Sequence, residues 1–136
     1  MLDEQVKDVI QKFDLKDNRA VTFGHPKMKM KWVLTLVGAT IYSVEQFQPF
    51  FIYFDKSGIS FFPLDLNNKY QVMGKSFISW NDVTNFKMKN GLLKNEMQIE
   101  TQSMKIEMKT NKIVANNSWV KDNINYLKER NYFYNK

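Results

Sequence analysis

Between Phe50 and Lys109 the chain alternates short runs of strand-forming residues with tight-turn signals, and this punctuation constrains the fold more than any other feature. Phe50-Phe51-Ile52-Tyr53-Phe54 and Ile59-Ser60-Phe61-Phe62 flank Asp55-Lys56-Ser57-Gly58, where glycine is expected to take the left-handed backbone that closes a hairpin. Pro63 ends or edges the second strand, and Asp65-Leu66-Asn67-Asn68 supplies the next loop. A fourth strand is expected over Val72 to Trp80, less cleanly patterned around Gly74. After a bend at Asn81-Asp82 comes Val83 to Lys89, in which Phe86 and Met88 alternate with Lys87 and Lys89. Met97, Ile99 and Thr101 alternate with Gln98 and Glu100, then Met104, Ile106 and Met108 with Lys105, Glu107 and Lys109. One apolar and one charged face is the pattern of a sheet that covers a core on one side only.

Upstream, Lys27, Lys29 and Lys31 alternate with Met28, Met30 and Trp32, so a long first strand is expected to about Tyr42, with Gly38 marking a bulge or bend and Ser43 to Pro49 the following loop. Before it, Leu2, Val6, Val9, Ile10 and Phe13 recur at helical spacing, with Asp3 as candidate N-cap, and Asp14 to Pro26 reads as a connector with turns at Asp17-Asn18 and Gly24-His25-Pro26. After Asn116-Asn117, Trp119, Val120, Ile124, Tyr126 and Leu127 form the apolar stripe of a second helix, with Asn117 as its cap. The division expected is 1–26, an amphipathic helix and connector, and 27–136, one β domain closed by a helix. A chain of 136 residues holds one core.

The absence of cysteine excludes disulfides, thiolate metal sites and a cysteine nucleophile. Met1-Leu2-Asp3-Glu4-Gln5 carries acids where a secretory signal needs positive charge, so a cytoplasmic location is expected, with room for a membrane-peripheral one. The longest apolar stretch, Trp32 to Tyr42, falls short of the roughly 20 residues that span a bilayer. A net charge of +6 favours polyanions without choosing among nucleic acid, anionic lipid and acidic protein.

Seven strands followed by a helix is the order of the pleckstrin-homology-like fold. The runs Phe54-Asp55-Lys56-Ser57-Gly58-Ile59-Ser60-Phe61, Phe77-Ile78-Ser79-Trp80-Asn81-Asp82-Val83 and Lys89-Asn90-Gly91-Leu92-Leu93-Lys94 resemble bacterial pleckstrin-homology-like (PH-like) domains and their GRAM-like relatives, over about residues 29–130. The segment Trp119 to Leu127 is similar to their capping helix. The resemblance implies a mainly β, seven-stranded antiparallel barrel or sandwich with a C-terminal capping helix, here with an added N-terminal helix. It also implies that Trp80 enters the core, that Asp82 shapes a bend, and that the domain is a binding or scaffold module. The loop Ser43 to Pro49 contains no base, so the family's inositol-phosphate recognition is not expected.

Catalytic signals are sparse. Gly74-Lys75-Ser76 lacks the phosphate-loop glycine five positions earlier, where Lys69 stands, and His25 is the only histidine. Asp55, Asp65, Asp82, Glu96, Glu100 and Glu107 sit at turns or on wet strand faces. No enzyme, metal or cofactor is therefore expected. Lys27, Lys29, Lys31, Lys87, Lys89 and Lys94 are candidate anion or partner contacts, and Leu92-Leu93 at a hairpin tip either folds back over an open barrel end or is an apolar contact for a membrane or partner. The expected function is a non-catalytic intracellular binding module for a protein or peptide. The alternative is a peripheral binder of anionic membrane lipid, or of nucleic acid, through lysine-rich strand faces. The apolar face of residues 2–13 docks either on its own domain or in a homo-oligomer.

Overall fold

The computed structural model describes residues 2–27, 30–36, 39–44, 47–114 and 117–134, with side chains described for all of these except 30–36 and 39–44. Helix α1 (Leu2–Lys12) is followed by β1 (Val21–Pro26), β2 (Met30–Leu36), β3 (Ala39–Val44), β4 (Phe50–Phe54), β5 (Gly58–Asp65), β6 (Gln71–Val72) and β7 (Ser76–Ser79). A 3-10 turn (Trp80–Asp82) leads into β8 (Val83–Lys89), β9 (Lys94–Thr101) and β10 (Lys105–Asn111), then helix α2 (Trp119–Glu129) and a second 3-10 turn (Asn131–Phe133). The protein is mainly β. An eight-stranded antiparallel sheet runs in the order β6-β5-β4-β1-β10-β9-β8, with β7 also paired to β5, while β2 and β3 form a separate hairpin.

Three strand expectations are corrected. The expected long strand Lys27 to Tyr42 is instead the β2–β3 hairpin, and the first strand of the main sheet is β1, inside the segment read as connector. Gly24 and Pro26 have the composition of a turn, yet Gly24 serves close approach: a Cβ there would collide with the Lys109 carbonyl of β10. The expected strand Val72 to Trp80 is divided into β6, β7 and the first 3-10 turn. Ten strands therefore replace the expected seven, and the sheet is open, with no ladder between β7 and β8 among the described pairings. The bulge expected at Gly38 and the turn residue Asn116 lie outside the described residues.

Register explains where the core sits. Phe23, Phe51 and Phe62 lie opposite one another across β1, β4 and β5 and so share one face, while Thr22, Ile52 and Phe61 share the other. Both faces are covered: β4 is buried throughout and β5 is buried up to its last residue. On the first face, the Phe13 ring just past α1 packs 4.9 Å from Phe62, and Trp119 lies 6.0 Å from Phe51. Helix α1 adds Leu2, Val6 and Val9 to the same core, so its apolar face is buried within its own chain. Across β8–β10 the pattern is one-sided: Met97, Ile99, Ile106 and Met108 are buried and the residues between them are not.

The turn after β4 closes without a left-handed glycine. Asp55 Oδ1 accepts from the Ser57 and Gly58 amides, and a Cβ on Gly58 would collide with the Ile78 carbonyl, so glycine is needed for the approach of β7. Trp80 is buried, as the resemblance implied, and its indole N–H donates to the Asp55 carbonyl at 2.8 Å. Around it Phe86, Tyr132 and Tyr134 complete an aromatic cluster, with Tyr132 5.2 Å from Phe54. Asn131, Tyr132 and Phe133 all have positive φ, strain of about 1–3 kcal/mol per residue that the burial of Tyr132 offsets. Burial also raises the Tyr132 phenol pKa, partly countered by its hydrogen bond with Asn95.

The loop between α1 and β1 holds α2. Asn123 Nδ2 donates to the Val21 carbonyl at 2.9 Å and the Asn18 carbonyl at 3.3 Å, and Tyr126 Oη donates to Asp17 Oδ2. The Arg19 and Arg130 guanidinium groups lie 4.1 and 3.7 Å from the Tyr126 ring centre. Burial pushes the Asp17 carboxyl pKa up, but hydrogen bonds from Tyr126 and the Arg19 amide, with the Arg19 charge, outweigh it and hold the value below the ordinary range. The same hydrogen bond raises the Tyr126 phenol. Neither expected helix cap has its expected form. Asp3 lies inside the first turn of α1, and Asn117 accepts the Val120 amide through its backbone carbonyl.

Candidate binding surface

The hairpin joining β8 to β9 ends in Asn90-Gly91-Leu92-Leu93, and its two leucines are 92% and 72% exposed. The turn is held from behind: Lys112 Nζ donates to Asn90 Oδ1 and to the Gly91 carbonyl, both at 2.9 Å, and the Lys112 amide donates to the Leu93 carbonyl at 3.3 Å. That anchoring sets exposed Ile113 beside the tip. A shallow cavity of about 490 Å³ there is lined by Lys89 to Lys94, Glu96 and Lys109.

Lys94 is also a wall of a second groove, of about 460 Å³, lined with Phe23, Gly24, His25, Phe47, Pro49, Leu66, Tyr70 and Asn111. Its apolar content comes from loops: Phe47 is 70% exposed and Leu66 is exposed as well. The floor is fixed by Gln48, whose Nε2 donates to the Leu64 carbonyl at 2.6 Å. Tyr70 of the lining and Lys69 before it have positive φ, and Gln5 Nε2 of α1 donates to the Lys69 carbonyl at 2.8 Å. The lysine ammonium of Lys94 can only donate, so at 2.7 Å His25 Nε2 accepts, while His25 Nδ1–H donates to the Pro26 carbonyl at 2.8 Å. A third concavity, of about 480 Å³ between β7 and β8, is lined by Phe77, Ile78, Asn81, Asp82, Thr84 and Thr101 to Met104.

Of the candidate lysines, Lys87 and Lys89 stand on β8 and Lys27 follows β1, on strands that are not neighbours. Between β8 and β1 lie β10 and β9, and register sets Lys89, Glu96, Lys109 and His25 in one cross-strand row and Lys87, Gln98 and Glu107 in the next. Acids thus alternate with bases on this face. Lys27 Nζ lies 3.6 Å from Glu96 and 3.7 Å from Glu107, exposed pairs of the kind worth at most about 1 kcal/mol. Lys87 and Lys89 are exposed on β8. Lys29 lies outside the described residues, as does the side chain of Lys31.

The sequence reading found the leucine tip but not the groove, because Phe23, Phe47, Leu66 and Tyr70 come from four separate segments. The available signal was a large apolar residue inside each of two otherwise polar loops, Phe47 and Leu66. Among the described residues no group of three or more His, Cys, Asp or Glu side chains is placed to hold a metal ion. Among them, too, no helix is long and apolar enough to cross a membrane. In comparisons with known proteins the chain matches no family model, no curated protein and no solved structure.

Proposed function

We propose that this chain is a non-catalytic binding module of PH-like build whose ligand is a protein or peptide segment that seats an apolar side chain in the groove between Phe47, Leu66 and Tyr70. The observation that carries the reading is this groove: large exposed apolar side chains over a fixed floor, with the amino group of Lys94 at one wall. Such an arrangement suits an apolar anchor flanked by an acid, which would meet Lys94.

The PH-like part is supported by the strand path. With β2, β3 and β6 set aside, β1-β4-β5-β7 and β8-β9-β10 are two antiparallel meanders, joined through the pairing of the first strand with the last. The seam falls between β7 and β8, and α2 is bonded to β1 through Asn123. The alternative of anionic lipid or nucleic acid held on lysine-rich strand faces has less support, because Glu96 and Glu107 share those faces with the lysines.

A displayed random-peptide library selected on the purified chain tests the reading. Peptides with an apolar anchor are expected to be enriched, and Phe47→Ser to weaken their affinity at least about tenfold by calorimetry, as loss of an interface anchor does. Affinities unchanged by Phe47→Ser, or no enrichment at all, would overturn it.

A further inference from the structure

We infer that the Leu92-Leu93 tip is a membrane-insertion element, entering the headgroup region of a bilayer that carries anionic lipid. The inference rests on the Leu92-Leu93 tip with Lys89 and Lys109, which lie outside the peptide groove; Lys94 alone borders both, so a bound peptide leaves the element in place.

Shape comes first. The two leucines occupy the end of a hairpin and are exposed almost to the limit, with Ile113 beside them and also exposed. The cavity beside the protruding tip is shallow and leaves both leucines exposed, whereas a bilayer conforms to such a tip and removes it from water. The tip is also braced rather than loose, because Lys112 holds Asn90, Gly91 and Leu93 from the neighbouring strand. Bracing lowers the ordering cost of insertion.

Charge then selects the surface. Lys89 stands three residues before Leu92 and Lys94 one after Leu93, so both sit within about 10 Å of the tip at roughly 3.3 Å per strand residue. That setback matches the roughly 5–10 Å to which interfacial elements enter, and brings the ammonium groups to the depth of lipid phosphates. Lys109 and Lys128 flank the same end, and the acid lining this region is Glu96. Each base near an anionic bilayer adds to the attraction, so several together reinforce a pair of leucines. The element reaches one leaflet only, since an isolated hairpin leaves backbone groups that hydrocarbon does not satisfy.

The test is sedimentation with vesicles of phosphatidylcholine alone and of phosphatidylcholine containing phosphatidylserine. The full chain is expected to pellet with the anionic vesicles and to be released by salt. Leu92→Asp/Leu93→Asp and, separately, Lys89→Glu/Lys109→Glu should each cut the bound fraction at least about tenfold. Thermal melting checks that both variants remain folded, and Phe47→Ser should bind vesicles normally, which separates this result from the groove. Because the chain has no cysteine, an environment-sensitive dye on Leu93→Cys reports insertion directly. Its emission should shift to the blue on anionic vesicles, while the same dye on Lys56→Cys should not shift. No pelleting of the unmodified chain, pelleting that survives Leu92→Asp/Leu93→Asp, or a dye at position 93 that stays water-like on bound protein would each overturn the inference. So would a solution dimer that Leu92→Asp/Leu93→Asp converts to monomer without any vesicle binding, since the tip would then belong to a second copy.

Discussion

Strands β4 and β5 and strands β8 to β10 belong to one sheet but live in different solvents. In the first pair both faces are dry, with α1, Phe13 and Trp119 lying over the side of Phe51 and Phe62. In the second set every other residue meets water, and bases and acids alternate across the rows. The contrast is already written in the residues: Phe50 to Phe54 is unbroken apolar sequence, whereas Met97 to Lys109 alternates. Stability is concentrated where the sheet is covered twice. Among the described residues the exposed large apolar side chains other than Phe77 of β7 lie at a hairpin tip and in loops.

The largest effect that tests the contrast is expected from Phe62→Ala. Loss of a fully buried ring on the side covered by α1 should cost about 3–5 kcal/mol in urea unfolding, as for an interior phenylalanine. A cost under about 1 kcal/mol would mean that this face is wet. Val9→Ala on α1 should come next, at about 2 kcal/mol, with a matching rise in dye binding to newly loosened apolar surface.

Asp17→Asn should cost about 1 kcal/mol near neutral pH by weakening the charge-assisted bond to Tyr126. The sign of its pH dependence is fixed. The folded Asp17 pKa is depressed, so its contribution is present above the unfolded value of about 3.9 and is lost as pH falls through the lower folded value. The folded Tyr126 pKa is raised, so its contribution is present below about 10 and is lost as pH rises through the higher folded value. Unfolding followed from pH 2 to 11 should show both limbs flattened in Asp17→Asn. The smallest effect belongs to the wet face: Glu107→Gln should change stability by no more than about 0.5 kcal/mol, because its partner Lys27 also faces Glu96.

The two-residue period disclosed the hairpins around Asp55–Gly58 and around Gln102–Ser103, and the helical period disclosed α1 and α2. Local signals failed where one residue type serves two purposes. Gly24 and Pro26 carry turn composition, yet Gly24 is there to let β10 approach, a requirement that exists only once the distant strand is in place. Likewise Val37-Gly38 reads equally as a bent strand or as a hairpin reversal, and β2 and β3 take up the chain on either side of it. For the site, alternation told which face each lysine occupies but not which strands are neighbours. Glu96 and Glu107, at the same period, stand among the lysines on the strands between β8 and β1. The leucine tip was legible as a hairpin end, but that Leu92 and Leu93 stay exposed instead of folding back over the open end of the sheet depends on distant packing.

Thiol accessibility tests the central claim, that β4 and β5 are dry on both faces while β8 to β10 are dry on one. The chain has no cysteine, so Phe62→Cys and Gln98→Cys each carry a single reporter. Under native conditions Gln98→Cys should react with a maleimide or disulfide reagent at nearly the rate of an exposed thiol. Phe62→Cys should react at least about a thousandfold more slowly, through opening of the fold. Equal rates at the two positions would contradict the account.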